Sequence, residues 1–150
     1  MSKELSVSAI KEGTVIDHVP SEFAFRVVRI LDLENSDNMT IVATNLGSSN
    51  LGKKGIIKIG GKFLSEEEIQ KIAVLAPQAT VNIIKDFKVK EKINVTLPKK
   101  IIKVVKCSNP KCITNHEPIS TRFSVIAEEP LALHCEYCER NMGREDILLR

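Results

Sequence analysis

The chain has 150 residues, with 22 Lys/Arg against 19 Asp/Glu for a formal net charge of +3, no tryptophan and only 4% aromatic residues. So even a balance announces no large electrostatic footprint for nucleic acid, and the shortage of rings leaves the core to Ile, Val, Leu and Ala. No apolar run approaches the ~18 residues that cross a bilayer, and no apolar signal core opens the chain, so a soluble cytoplasmic protein is expected.

Residues 13–17 read as a short strand. Pro20-Ser21 offers a helix start, and Phe23, Val27, Ile30 and Leu31 follow at helical spacing through Leu33. Residues 35–38 are a turn cluster, residues 39–44 a β-branched strand, residues 47–55 a glycine-containing loop, and residues 56–59 a third strand. Ser65-Glu66-Glu67-Glu68 is a capping box, in which hydroxyl and carboxylate each close on the other's backbone N–H. It opens a helix that keeps Ile69, Ile72, Ala73 and Ala76 on one face until Pro77 ends it. Residues 80–84 and 87–95 are two more strands. The first six of these elements, β-α-β-β-α-β, follow the order of a split βαβ sandwich, so the fold class is α+β: a ferredoxin-like domain with two helices on one face of an antiparallel sheet.

The chain divides near Leu97-Pro98-Lys99-Lys100, giving an N-terminal domain of residues 1–97 and a C-terminal domain of residues 98–150. Short antiparallel strands are expected at 101–106, 122–126 and 131–134, with 144–149 helical or extended. All four cysteines lie in this half, as Cys107-x4-Cys112 and Cys135-x2-Cys138. Two short-spaced pairs joined by a loop put four thiolates at the corners of a tetrahedron, the donor set that Zn²⁺ accepts. Two disulfides, free core thiols or a redox Cys-x-x-Cys are the alternatives. In a reducing cytosol this spacing reads as metal, and a redox motif would leave the other pair without a role. Lys106, Lys111 and Arg140 flank the ligands and would ease thiol ionisation, while His134 is read as lying beside the site. A catalytic zinc keeps one position open for water, so one structural Zn²⁺ per chain is expected. A domain of about 50 residues buries too little apolar surface to be comfortable without it.

No phosphate loop, nucleophile elbow or metal-binding His pair appears, and the three histidines, His18, His116 and His134, fall in separate segments. No catalytic constellation is present. Lys58 interrupts an apolar strand, and Lys88, Lys90 and Lys92 alternate along another, which would point all three to one face. The plain reading is a solvated or edge strand; the sharper one is an anion site.

Three stretches carry a resemblance: Ala9-Ile10-Lys11-Glu12-Gly13-Thr14-Val15-Ile16-Asp17-His18-Val19-Pro20, Leu75-Ala76-Pro77-Gln78-Ala79-Thr80-Val81-Asn82, and the four cysteines. With Lys53-Lys54-Gly55-Ile56-Ile57-Lys58-Ile59 and Phe63-Leu64-Ser65-Glu66, they make the chain resemble, nearly end to end, the regulatory chains of aspartate carbamoyltransferase. The resemblance implies a non-catalytic subunit of the enzyme that commits carbamoyl phosphate and aspartate to pyrimidine synthesis. Its N-terminal domain would bind a nucleoside triphosphate effector, CTP or ATP, with Mg²⁺ assisting. Its zinc domain would dock on the catalytic chain, and regulatory chains would pair as homodimers. Lys58 and Lys92 match the family's phosphate and ribose contacts, with Lys54 nearby; Asp17 and His18 match the edge of the site. Ile10, Val15, Asn82, Ile84 and Val89 would line it, with the base read largely by backbone groups near Ala9–Ile10 and Ile84. Phe87 stands where the family often has tyrosine, so a contact through a phenol oxygen is lost.

Two other classes compete. A stand-alone zinc ribbon binding nucleic acid would concentrate basic and aromatic residues on the ribbon, whereas residues 98–150 hold only Phe123 and Tyr137 as aromatics. A nucleotide-using enzyme would need an acid or base at the nucleotide, and only Asp17 and His18 are candidates. Neither nucleic acid nor a membrane is expected as a partner.

Overall fold

A computed structural model of the chain describes residues 9–48 and 52–149, which form two units, Met1–Val95 and Thr96–Arg150. In the first, β1 (Gly13–Pro20) is the middle strand of a five-stranded antiparallel sheet. β3 (Gly52–Gly60) and β4 (Thr80–Lys85) flank it, with β2 (Thr40–Ser48) and β5 (Lys88–Asn94) at the edges. The order β2-β3-β1-β4 is the split βαβ arrangement expected from the sequence, and β5 extends it by one hairpin strand.

Alternation sorts the strand residues onto two faces. Ile16 lies between Ile57 of β3 and Val81 of β4, and all three are fully buried. The other face carries Val15, Lys58 and Asn82, which are only half-buried. The helices account for the difference. α1 (Ala24–Ile30) packs on β3 and on α2 (Glu66–Leu75), and Ala24, Val27, Ile72, Ala73, Val74 and Leu75 lose all their solvent exposure. Burying each large aliphatic side chain there contributes roughly 1.5–3 kcal/mol.

The first helix is shorter than its 20–33 spacing suggests. A 3₁₀ turn, Ser21–Phe23, precedes α1, and Asp32 then adopts the left-handed conformation (φ 54°) and ends the regular structure. α2 begins as expected: the Ser65 hydroxyl accepts the Glu68 N–H at 3.2 Å, and the Glu68 carboxylate accepts the Ser65 N–H at 2.9 Å. The glycine-containing loop expected over 47–55 shrinks, because β2 runs to Ser48 and β3 starts at Gly52.

Gly13 is required where β1 begins. Its φ is +138°, and a Cβ there would collide with the Ile59 carbonyl and approach the Gly61 nitrogen to 2.9 Å. Gly13→Ala should therefore cost about 3 kcal/mol. Urea unfolding should show it as a lower midpoint at unchanged slope; an unchanged midpoint would mean that this entry to the sheet yields easily.

In the second unit, β6 (Lys100–Ile102), β8 (Arg122–Glu128), β9 (Leu131–Cys135) and β10 (Asn141–Gly143) form an antiparallel sheet in the order β10-β9-β8-β6. β7 (Val105–Lys106) pairs separately with β11 (Leu148–Leu149). The strand expected over 101–106 is thus two strands. Lys103 breaks it by turning left-handed (φ 72°), held by its N–H to the Thr121 carbonyl at 3.0 Å. The buried Thr121 hydroxyl donates to the Val105 carbonyl at 2.6 Å. Residues 144–149 take both expected forms in turn, a 3₁₀ turn at Arg144–Asp146 and then β11. Ile101, Val104, Val105, Phe123 and Leu133 are fully buried.

Candidate metal centre and anion-binding face

The segment after β7 folds back through Asn109-Pro110 and carries Cys107 and Cys112, while the end of β9 carries Cys135 and the turn to β10 carries Cys138. The four Sγ atoms lie within 4.8 Å of one another. Cys107 and Cys138 are 3.7 Å apart at sulfur, and Cys112 and Cys135 are 3.8 Å apart. A tetrahedron with Zn–S bonds of about 2.3 Å has S–S edges of roughly 3.8 Å. All four thiols are free, at nearly twice the ~2.05 Å of a disulfide bond. The donor set therefore fits a closed tetrahedral metal and leaves no position for a reacting water.

Burial pushes the Cys107 thiol up to about 12 and raises Cys135 as well, and the neighbouring thiols add to both shifts. For Cys138 burial also acts upward, but the Asn109 side chain, the Arg140 N–H and the thiols of Cys107 and Cys135 bring it down to about 7. Four sulfurs this close cannot all ionise without a cation between them, so metal uptake displaces thiol protons. Lys106, Lys111 and Arg140, the flanking cations singled out in the sequence, are exposed. Backbone N–H groups also turn to sulfur: Asn109 to Cys107, Tyr137 and Cys138 to Cys135, and Arg140 to Cys138. His134 turns to Asn141, with its Nδ1 2.8 Å from Oδ1, and is no part of the cluster. The Asn109-Pro110 turn is legible in the sequence as the bend of the first cysteine pair, but two polar residues just after that pair, Thr114 and Asn115, escaped notice. Their only signal was proximity to Cys112.

The second constellation lies on the sheet face away from the helices. Strand register aligns Lys58 of β3, Val15 of β1, Asn82 of β4 and Lys92 of β5 in one row. Directly paired residues share a face, so the two lysines close the ends of a row about 14 Å long, three inter-strand steps. Asn82 donates from Nδ2 to the Val15 carbonyl at 3.3 Å. One step along, Ile84 pairs with Val89 and with Gly13; Ile84 is buried, and Val89 is 58% exposed. Ile10 is buried, and its neighbour Lys11 accepts the Phe87 N–H at 2.9 Å, which brings this segment beside the β4–β5 turn.

At the other end of β1 a bulge between Ile16 and Val19 puts His18 in the left-handed region (φ 60°). The Asp17 carboxylate accepts the His18 N–H at 2.6 Å and pairs with Lys54 Nζ at 3.0 Å. His18 Nδ1 lies 3.2 Å from the Thr80 hydroxyl. Burial pushes the Lys58 ammonium down from the usual lysine range, and Asp17 partly restores it. The expected alternation of Lys88, Lys90 and Lys92 does not hold. A bulge between Ile83 and Ile84 leaves Lys90 as the extra residue, and Lys88 pairs with Lys85 on the face opposite Lys92.

Among the described residues no helix is long and apolar enough to cross a membrane. Residues 5–96 match the family described as aspartate carbamoyltransferase regulatory chain, allosteric domain. Residues 99–148 match the one described as aspartate carbamoyltransferase regulatory chain, metal binding domain. Relatives named aspartate carbamoyltransferase regulatory chain include one from Pyrococcus abyssi, 54% identical over 147 residues and 97% of each chain. Another, from Thermococcus onnurineus, is 50% identical over 146 residues and 97% of each chain. A third, from Parabacteroides distasonis, is 48% identical over 148 residues, covering 99% of this chain and 96% of the relative.

Proposed function

The chain belongs to the family of aspartate carbamoyltransferase regulatory chains, non-catalytic subunits with an allosteric and a metal-binding domain, and from that premise we propose that its open sheet face binds a nucleoside triphosphate effector, CTP or ATP. The observation that carries this reading is the row Lys58-Val15-Asn82-Lys92 across four strands. A triphosphate with about four negative charges needs converging cations, and lysine serves it as a point charge. Lys58 and Lys92 take the phosphates and ribose, Lys54 adds charge nearby, and Mg²⁺ shares the load. Asp17 and His18 form the polar edge. Ile10, Val15, Ile84 and Val89 supply an apolar bed on which a base can lie, and Asn82 stands between the two kinds of surface.

The second half of the proposal concerns the metal unit. Cys107, Cys112, Cys135 and Cys138 hold one structural Zn²⁺, because four thiolates at tetrahedral spacing suit that ion. The ion crosslinks two turns of a small sheet, and the chain supplies every other feature of the docking surface. Ile113 and Tyr137, each next to a metal ligand, are exposed apolar side chains, as a surface for the catalytic chain requires. Regulatory chains pair as homodimers within that assembly. Light scattering of the zinc-loaded chain mixed with an aspartate carbamoyltransferase catalytic chain tests this directly. A stable species heavier than either component is expected; two components that stay apart would refute the docking role.

A further inference from the structure

Thr114 and Asn115 follow Cys112 in a 3₁₀ turn, Ile113–Asn115, and neither is a metal ligand. The Thr114 hydroxyl lies 3.1 Å from Cys112 Sγ, and both residues are buried. A thiolate at that place can only accept, so the hydroxyl is the donor once the sulfur is ionised. Asn115 does different work. Its Nδ2 donates to the Cys107 carbonyl at 3.1 Å and to the Asn109 carbonyl at 2.8 Å. Both acceptors are carbonyl oxygens, so the amide orientation is fixed: turned over, it would set oxygen against oxygen. Its Oδ1 is buried with no partner among the described residues. An acceptor left unpaired in this way opposes stability, and the two bonds its donors make offset that cost.

We propose that Thr114 and Asn115 set how tightly the Cys107–Cys112 limb holds its metal, Thr114 by donating to the Cys112 thiolate and Asn115 by bracing the turn that presents Cys107. A hydrogen bond to a ligand sulfur draws off part of the charge that four thiolates crowd around one ion, and groups of this kind support metal sites generally. Asn115 bridges the first cysteine of the limb to Asn109, whose own side chain and N–H serve Cys138 and Cys107. One amide therefore ties down a turn that touches two of the four ligands.

The inference rests on the cysteines holding a metal, and the test separates the two claims. The full-length chain is loaded with Co²⁺ and its thiolate-to-cobalt absorption recorded, then Zn²⁺ affinity is measured by chelator competition. If the parent chain shows no such band, the metal reading itself fails. Given the band, Thr114→Val, which removes only the hydroxyl, should weaken Zn²⁺ binding about 10–100-fold and move the band to lower energy. Thr114→Ser should restore both. Asn115→Asp, which replaces donors by an acceptor, should weaken Zn²⁺ by a comparable factor and leave the band in place. A Thr114→Val chain that folds only in excess Zn²⁺ would also support the inference. Parental affinity and band in Thr114→Val, or Thr114→Ser as weak as Thr114→Val, would overturn the role of the hydroxyl. Parental affinity in Asn115→Asp would overturn the brace.

Discussion

Removing the metal from the full-length chain unfolds the second unit and leaves the first one folded. The reason is the size of each core. Among the described residues the first unit buries fifteen Ile, Val and Leu side chains, including Ile16, Ile57, Ile59, Ile72 and Leu75. The metal unit has short strands, and its two knuckle turns carry four thiols held 3.7–3.8 Å apart in facing pairs. Without a cation those thiols join the turns only through weak S–H···S contacts. A structural zinc in so small a domain supplies on the order of 10 kcal/mol of folding free energy. Hydrogen exchange after chelation should show lost protection for β8 and β9, and retained protection for β1 and β3. Equal protection in both units after complete metal removal would mean that the second sheet stands without its crosslink.

Lys58→Ala and Lys92→Ala each weaken CTP and ATP together. Both nucleotides present the same triphosphate, and each lost charge-assisted contact costs roughly 1.5–3 kcal/mol, about 10–100-fold in affinity. Lys58 should show the larger effect, because its ammonium is partly desolvated before the ligand arrives; an anion there recovers interaction that water no longer provides. Lys88→Ala is the control that the register supplies. It removes the same charge from the same strand but on the opposite face, and it should leave both affinities within about twofold, as expected for an exposed charge screened by salt. Calorimetry in which Lys88→Ala hurts as much as Lys92→Ala would mean that net charge, rather than the row, attracts the nucleotide. Loss of only one nucleotide in Lys92→Ala would assign that lysine to the base.

Elements with a local, repeating signal could be read in the sequence. The Ser65 capping box and the cysteine spacing each depend on residues a few positions apart, and each stands in the structure as expected. The face read for α2 holds only in part, since Ile72 and Ala73 are buried but Ile69 is half-buried and Val74 and Leu75 are buried as well. Features set by backbone conformation at one residue could not be read. His18, Asn45, Asp32 and Lys103 adopt positive φ, and nothing in a pattern of apolar spacing marks them. Yet Asp32 follows the end of α1, His18 and Asn45 lie in the register shifts of β1 (Ile16 to Val19) and β2 (Ala43 to Leu46), and Lys103 cuts a strand in two. The lysines of β5 show the cost most clearly. Their alternation is plain in the sequence, but the bulge at Lys90 separates Lys88 from Lys92. β10 went unseen because Asn141-Met142-Gly143 offers one buried side chain, Met142, and no alternation. The supports of the metal centre were hidden for another reason: Thr114 and Asn115 act through a hydroxyl and an amide, groups too common in loops to point anywhere alone.

An effector changes catalysis only through different affinities for two states of the assembly. The most direct test is therefore aspartate saturation of the reconstituted assembly, with and without saturating CTP, for the parent chain and for Lys58→Ala. The parent assembly should change its half-saturating aspartate concentration when CTP is added. The Lys58→Ala assembly should have the same mass and the same behaviour without nucleotide, and should not respond at that CTP concentration. An intact parent assembly that binds CTP and leaves aspartate saturation unmoved, or a Lys58→Ala assembly that responds like the parent, would contradict an effector site on the open face of this sheet.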